Sequence, residues 1–340
     1  MKKKLLSLTL AVSVALLFCG CSTKKEAQTT FYSMNTVMRI TAFGDNQETG
    51  NDAIRAAQQR VIELDRLWSV TDAESELSRI NSGELSKASY DTYELLSFGL
   101  EIAEKTEGAF DPTIYPVLTA WGFTLDENRV PSEAELDELL KRVDYRNIRQ
   151  SGSEITLRNG ATLDFGAIAK GYAGDCVTQT LRERGISSAL IDLGGSITAV
   201  GKKPDGSDWK IGVKDPTGDG NVGILALSDL SAVTSGAYER FFTAEDGTVY
   251  GHIIDPATGC PVDSDLLSVT IISPNATLCD ALSTALFVMG SEKARSFCRE
   301  NGSAMGFDII LITKNRELIL SGGAAERFTL TDKTYSLATP

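Results

Sequence analysis

Two stretches of this chain bring together residue types that can do chemistry. The first is Leu163-Asp164-Phe165-Gly166-Ala167-Ile168-Ala169-Lys170-Gly171. It reads as a strand end, a turn of small residues and a helix start. Ile168, Tyr172, Ala173, Val177 and Leu181 follow helical spacing, and Gly185 stops the run. Free N–H groups at such a start suit a phosphate, and Lys170 adds a full charge in the first turn. Asp164 adds a carboxylate. The second stretch holds Asp280 and Thr284, at i and i+4 of an otherwise apolar helix and so on one face. Such oxygen donors suit a hard divalent cation such as Mg2+, with carbonyls and water filling the shell. Purely structural readings stay open for both. One is a corner whose glycines serve close packing; the other is a helix-start carboxylate with a core threonine bonded to its own backbone. His252, the only histidine, suits a general base or a strand histidine held by a backbone partner.

The elements that must position these residues are legible in outline. Asn159-Gly160 is a hairpin signal, which makes 161–165 the expected return strand. Helices are expected over 52–68, with Ile54, Val61, Leu64 and Trp68 on one face, and over 91–106. Asp111-Pro112 reads as the cap and first position of a helix carrying Tyr115, Leu118 and Trp121. Ser132-x-x-Glu135 reads as a capping box for a helix to about 143. Short strands are expected at 31–42, 145–148, 154–158, 189–193 and 209–214, with a less regular apolar run at 223–233. Asp246-Gly247 marks a hairpin whose return strand carries Tyr250, His252, Ile253 and Ile254. A buried-type strand at 267–272 leads to an apolar helix at 277–289, ended by Gly290. A helix at 292–301 and strands at 307–313, 317–320 and 327–331 close the chain. The mix is α+β.

The N-terminus begins Met1-Lys2-Lys3-Lys4, runs apolar to Phe18 and reaches Cys19-Gly20-Cys21. A basic start, a short apolar core and a small residue before a cysteine describe a bacterial lipoprotein signal at 1–20. Cys21 is then the lipidated first residue, and 21–30 reads as a polar tether. The expected location is the cell envelope, membrane-anchored and facing the extracytoplasmic side. No other segment is apolar enough to span a bilayer. The net charge is −13, and −16 once the three signal lysines are gone; such a balance argues against a nucleic-acid partner. Cys176, Cys260, Cys279 and Cys298 form no CxxC pair, and a single histidine argues against a zinc cluster.

Taken in order, Met34-x-Thr36, Gly108-Ala109-Phe110-Asp111, Asp164-x-Gly166-x-Ile168-Ala169-Lys170-Gly171, Leu193-Gly194-Gly195, Thr234-Ser235-Gly236-x-Tyr238, His252-Ile253-Ile254-Asp255-Pro256-x-Thr258-Gly259 and Asp280-Ala281-Leu282-Ser283-Thr284 form a set. This set closely resembles the ApbE family of FAD:protein FMN transferases. The resemblance implies a two-lobed α+β fold over 31–335, with mixed and antiparallel sheets flanked by helices. It also implies Mg2+-dependent transfer of FMN from FAD to a Thr or Ser hydroxyl of an acceptor flavoprotein, releasing AMP. Expected acceptors are subunits of membrane redox complexes or extracytoplasmic reductases. Carried over, Asp280, Thr284, the Ala167 carbonyl and Thr277 are the expected metal ligands. Asp164 and Lys170 hold FAD; Met34, Ala109, Phe110, Asp111 and Ile254 line its pockets; His252 is the expected base. Asn35 and Ala167 stand where family members often have glycine. An FAD pyrophosphatase and a non-catalytic flavin-binding lipoprotein remain the rival readings.

Overall fold

The structure is a computed structural model that describes residues 24–124 and 127–338. The signal segment and Cys21 lie outside the described residues. Strands β1 (Lys25–Ser33) and β2 (Thr36–Gly44) open the fold as a hairpin. Helices α1 (Gln47–Trp68), α2 (Glu76–Asn81), α3 (Tyr90–Lys105), α4 (Tyr115–Trp121) and α5 (Glu133–Leu140) follow. A small hairpin of β3 (Ile148–Ser151) and β4 (Glu154–Leu157) leads to α6 (Ala169–Glu183). Next come β5 (Ala189–Leu193), β6 (Ser196–Val200), β7 (Trp209–Lys214), β8 (Asn221–Leu227), β9 (Leu230–Gly236), β10 (Phe241–Thr243), β11 (Val249–Gly251) and β12 (Leu266–Ser273). Last are α7 (Ala276–Met305), β13 (Asp308–Thr313), β14 (Glu317–Leu320), α8 (Gly322–Arg327), β15 (Phe328–Leu330) and β16 (Ser336–Ala338).

A nine-stranded sheet in the order β1-β2-β5-β6-β9-β12-β13-β14-β16 forms the frame. Its neighbours are antiparallel except for the parallel β14–β16 pair. The central strands are buried on both faces, and their alternation sorts side chains between two cores. Ile271, Ile309 and Leu311 pack with α1, α6 and α7 on one face. Ile272, Ile310 and Ile312 pack on the other against Trp209, Leu225 and Leu227 of the small β15-β8-β7 sheet. A third apolar cluster gathers Val117, Trp121, Phe123, Leu136 and Ile254 with Phe242 and Tyr250 of the β10–β11 hairpin. Trp121 Nε1 ties it to the Gly259 carbonyl at 2.7 Å. The α+β class and the flanked mixed and antiparallel sheets are as expected.

Several local expectations change. Helix α1 begins at Gln47, because Asn46 caps it by accepting from Thr49 N; the polar first turn hides that start from any apolar periodicity. The expected tether, 21–30, joins the sheet from Lys25, which pairs with Gly44. Asn159 and Gly160 do turn, at φ 54° and 71°, but 161–165 finds no ladder. Its Leu163 N donates to Asn81 Oδ1, and its Asp164 N donates to the Pro112 carbonyl. Asp111 caps no helix: α4 starts at Tyr115, and Asp111 Oδ1 takes the Thr113 N–H and hydroxyl in a tight turn. Residues 145–147 form one 3-10 turn before β3. The run 223–233 is two strands, β8 and β9, split by a turn with Asp229 at φ 51°. Gly290, at φ 76° and ψ 171°, breaks α7 into two helices, as the sequence predicts.

Candidate active site

A cleft of about 980 Å3 opens between the helix face of the large sheet and the third cluster. That volume stands near the top of the range for small-molecule sites, roughly 300–1,000 Å3. Asp164, Ala167, Lys170, Asp280 and Thr284 line it together with Met34, Ala109, Phe110 and Asp111. His252 and Ile254 come from the segment after β11. Thr277 does not join them. Its N–H and hydroxyl both donate to Asp175 Oδ2, at 2.9 and 2.5 Å, while Ala276 N donates to Asp175 Oδ1. Asp175, from α6, thereby satisfies free N–H groups at the start of α7.

The crossing of α6 and α7 builds the cation-like corner. Gly171 lets the helices touch, because a Cβ there would stand 2.3 Å from the Ala276 carbonyl oxygen. At this contact Gly171 N donates to Asp280 Oδ2 at 2.8 Å, not to the carbonyl four residues back. The Ala167 carbonyl therefore receives no backbone N–H among the described residues. Asp280 is 4% exposed, and its Oδ1 has no hydrogen-bond partner among the described residues. An open Asp280 Oδ1, a carbonyl with no backbone donor among the described residues and the Thr284 hydroxyl thus belong to residues that line the same cleft. A carboxylate oxygen left open to the cleft can serve a hard cation as a charged ligand. This donor set fits Mg2+, which takes one or two carboxylates and keeps several waters. No group of three or more His, Cys, Asp or Glu that could hold a metal occurs among the described residues. Any cation here is therefore held by the mixed oxygen set.

The remaining polar groups have defined partners. Asp164 Oδ1 accepts from Gly166 N at 2.7 Å, and burial pushes its carboxyl above the usual range. Lys170 Nζ reaches the Gly166 carbonyl at 3.3 Å. Asp111 spends its second oxygen on Tyr145 N, so both its oxygens shape the cleft wall. His252 Nδ1 lies 3.0 Å from the Arg240 carbonyl. A carbonyl only accepts, so Nδ1 carries the proton and Nε2 keeps its lone pair. Burial pulls the His252 pKa down to about 4. The bond to the Arg240 carbonyl opposes that fall, while the charges of Arg240 and Lys170 add to it. The imidazole is consequently neutral at pH 7.

Among the cleft residues that the sequence does not single out are Asp65, Trp68 as a wall, and Ser235 in a catalytic context. Asp65 Oδ2 accepts from Ser33 Oγ at 2.7 Å and Met34 N at 3.0 Å, fastening the β1–β2 turn to α1. That turn holds Met34 at φ 46° and Asn35 at φ 58°, left-handed positions that L side chains adopt at a cost. The only available signal for Asp65 is a carboxylate beside the buried stripe of α1, which is common in helices. The acids Asp65, Asp111, Asp164, Glu239 and Asp280 outnumber the lining cations Lys170 and Arg240, a balance that favours a cation alongside any anionic ligand.

Comparison with known proteins gives a consistent picture. The sequence profile of the ApbE family matches residues 34–307. The FAD:protein FMN transferase of Treponema pallidum is 39% identical over 263 residues, 72% of each chain. That of Escherichia coli K12 is 30% identical over 328 residues, covering 89% of this chain and 91% of its own. Among solved structures, the ApbE protein of Thermotoga maritima superposes with a TM-score of 0.83 at 33% identity, over 89% of this chain and 99% of its own. The flavin transferase ApbE of Vibrio cholerae gives 0.78 at 25% identity, over 89% and 99%.

Proposed function

The chain belongs to the ApbE family of flavin transferases, and from that premise we propose that its cleft binds FAD with Mg2+ and transfers FMN to a Thr or Ser hydroxyl of an acceptor flavoprotein. The observation that carries this reading is the corner where Asp280 Oδ1 and the Ala167 carbonyl stand unclaimed beside Thr284 and Lys170. Asp280, Thr284 and the Ala167 carbonyl would hold Mg2+, and Thr277 is left out of the set by its bond to Asp175. Bound there, Mg2+ would neutralise the diphosphate and the charge that builds on the departing AMP.

The chain's own residues supply the rest. Lys170, in the first turn of α6, binds the diphosphate through its ammonium charge. Phe110, Ile254 and Met34 give apolar wall to the rings. His252 accepts the acceptor hydroxyl proton at Nε2. The acceptor oxygen bonds to the phosphorus carrying riboflavin, the bridging P–O bond to AMP breaks, and AMP leaves with the electron pair. We also propose that Cys21 carries a lipid anchor that holds the enzyme on the extracytoplasmic side of the membrane, near flavin-carrying subunits of redox complexes or extracytoplasmic reductases. Palmitate labelling that persists in a Cys21→Ser chain would remove the anchor.

The direct test is intact-mass analysis after mixing the protein, FAD, Mg2+ and a flavoprotein acceptor domain. One FMN gained on an acceptor Thr or Ser, lost on chelation, supports transfer. FAD turned into FMN and AMP with no gain on the acceptor indicates a pyrophosphatase. FAD left intact across several metals and acceptors indicates a binding protein.

A further inference from the structure

We propose that Ser235 and Ser283 are positioning residues that fix the direction of the Thr284 hydroxyl proton and so present its oxygen to the cation. The proposal rests on the reading of Asp280 and Thr284 as metal ligands and assigns a task to two residues outside that set.

The argument is a count of protons. Each serine or threonine hydroxyl has one proton to donate and lone pairs to accept with. Ser283 Oγ lies 2.9 Å from the Asp280 carbonyl oxygen. That carbonyl can only accept, so the Ser283 proton is committed to it. Ser283 Oγ also lies 2.8 Å from Ser235 Oγ. The proton in this second bond has to come from Ser235. Ser235 Oγ in turn lies 3.3 Å from Thr284 Oγ1, and with the Ser235 proton already used, Thr284 is the donor. The chain has one direction: Thr284 to Ser235 to Ser283 to the Asp280 carbonyl. No other hydroxyl or carboxylate is bonded to these three among the described residues.

The consequence falls on Thr284. With its proton turned toward Ser235 on β9, its lone pairs are left for the cleft it lines. A cation needs the oxygen and is repelled by the proton. A threonine on a helix otherwise divides its hydroxyl between rotamers. Ser283 is fully buried and does not line the cleft; among the described residues its hydroxyl bonds only to Ser235 and the Asp280 carbonyl. Removing its oxygen frees the Ser235 proton to point at Thr284, which reverses the first link and sends the Thr284 proton elsewhere.

The experiment is Mn2+ titration of the full chain, followed by electron paramagnetic resonance of the free ion, with ADP as an unreactive diphosphate. FAD affinity in EDTA is measured beside it, and thermal unfolding verifies folding. Ser283→Ala and Ser235→Ala should each weaken Mn2+ binding about 10–100-fold, as expected for partners that orient a metal ligand, with FAD affinity in EDTA unchanged in Ser283→Ala, whose side chain does not line the cleft. Ser283→Cys, a weaker donor, should fall between. In a Thr284→Val background, Ser283→Ala should cause no further loss. Wild-type Mn2+ affinity in folded Ser283→Ala overturns the proposal and leaves the metal reading standing. If that variant does not fold, Ser235→Ala decides on the same terms. A wild-type chain that binds no Mn2+ overturns the metal reading, and the proposal with it.

Discussion

Asp280 has two oxygens with two jobs, and they separate by mutation. Oδ2 holds Gly171 N, while Oδ1 is left for a ligand. Asp280→Asn keeps an oxygen for Gly171 but loses the charge. Metal-dependent turnover should fall by about 10²-fold or more with little change in melting temperature, since a bound metal is worth several kcal/mol at the transition state. Asp280→Ala should add a loss of about 1–3 kcal/mol in stability, because a buried N–H is stranded; turnover assays and thermal unfolding read the two effects separately. His252 gives a pH prediction. Its pKa is lowered to about 4, so the imidazole stays neutral and basic as pH falls through 6.5. The rate should hold level there and drop only on approaching pH 4. A limb of kcat/KM centred near 6.5 that disappears in His252→Ala would show that the imidazole keeps its ordinary pKa. His252→Ala should slow transfer about 10²–10⁴-fold and leave FAD binding nearly intact. At this scale the sequence was informative where a polar residue broke an apolar pattern, as Asp280 and Thr284 do. It was silent on Asp65 and Asp175, whose partners, Met34 and Thr277, come from other elements.

Elements reach the site mainly through one crossing. Gly171 is required there by the 2.3 Å approach to the Ala276 carbonyl, a helix contact rather than a turn. Gly171→Ala should push α6 off α7 and cost about 1–3 kcal/mol, lowering both the melting temperature and Mn2+ affinity. A variant that melts and binds metal like the wild type would show that the crossing has slack. Much of this level was readable: α6, its Gly185 stop and the break at Gly290 follow from periodicity and glycine position. The stretch 161–165 was misread because a turn signal reports local geometry only. Whether a strand follows depends on a partner, and here Asn81 and Pro112 supply the bonds instead.

Across the whole molecule, the site is divided between two packing units. Asp280 and Thr284 stand on the main core, while Arg240 and His252 flank the hairpin that packs in the third cluster around Trp121. Trp121→Ala should therefore leave Mn2+ affinity unchanged yet slow transfer, on the order of 10²-fold for a displacement of about 1 Å; equal loss of both would mean that the units are not separable. Fold class was legible in the mix of hairpins and amphipathic helices, but sheet order was not, since it depends on pairings remote in sequence. Met38 lies opposite Leu193, and Ser196 opposite Val233. Such pairings bear on how the chain folds. Loop-closure entropy is spent before a distant strand gives anything back, which makes sheets of this kind slow to assemble. The β1–β2 hairpin has to wait for β5, and Gly171 has no Asp280 to bond until α7 exists. The cleft is therefore a late product of folding, and recovery of flavin binding during refolding should lag behind the return of helical signal.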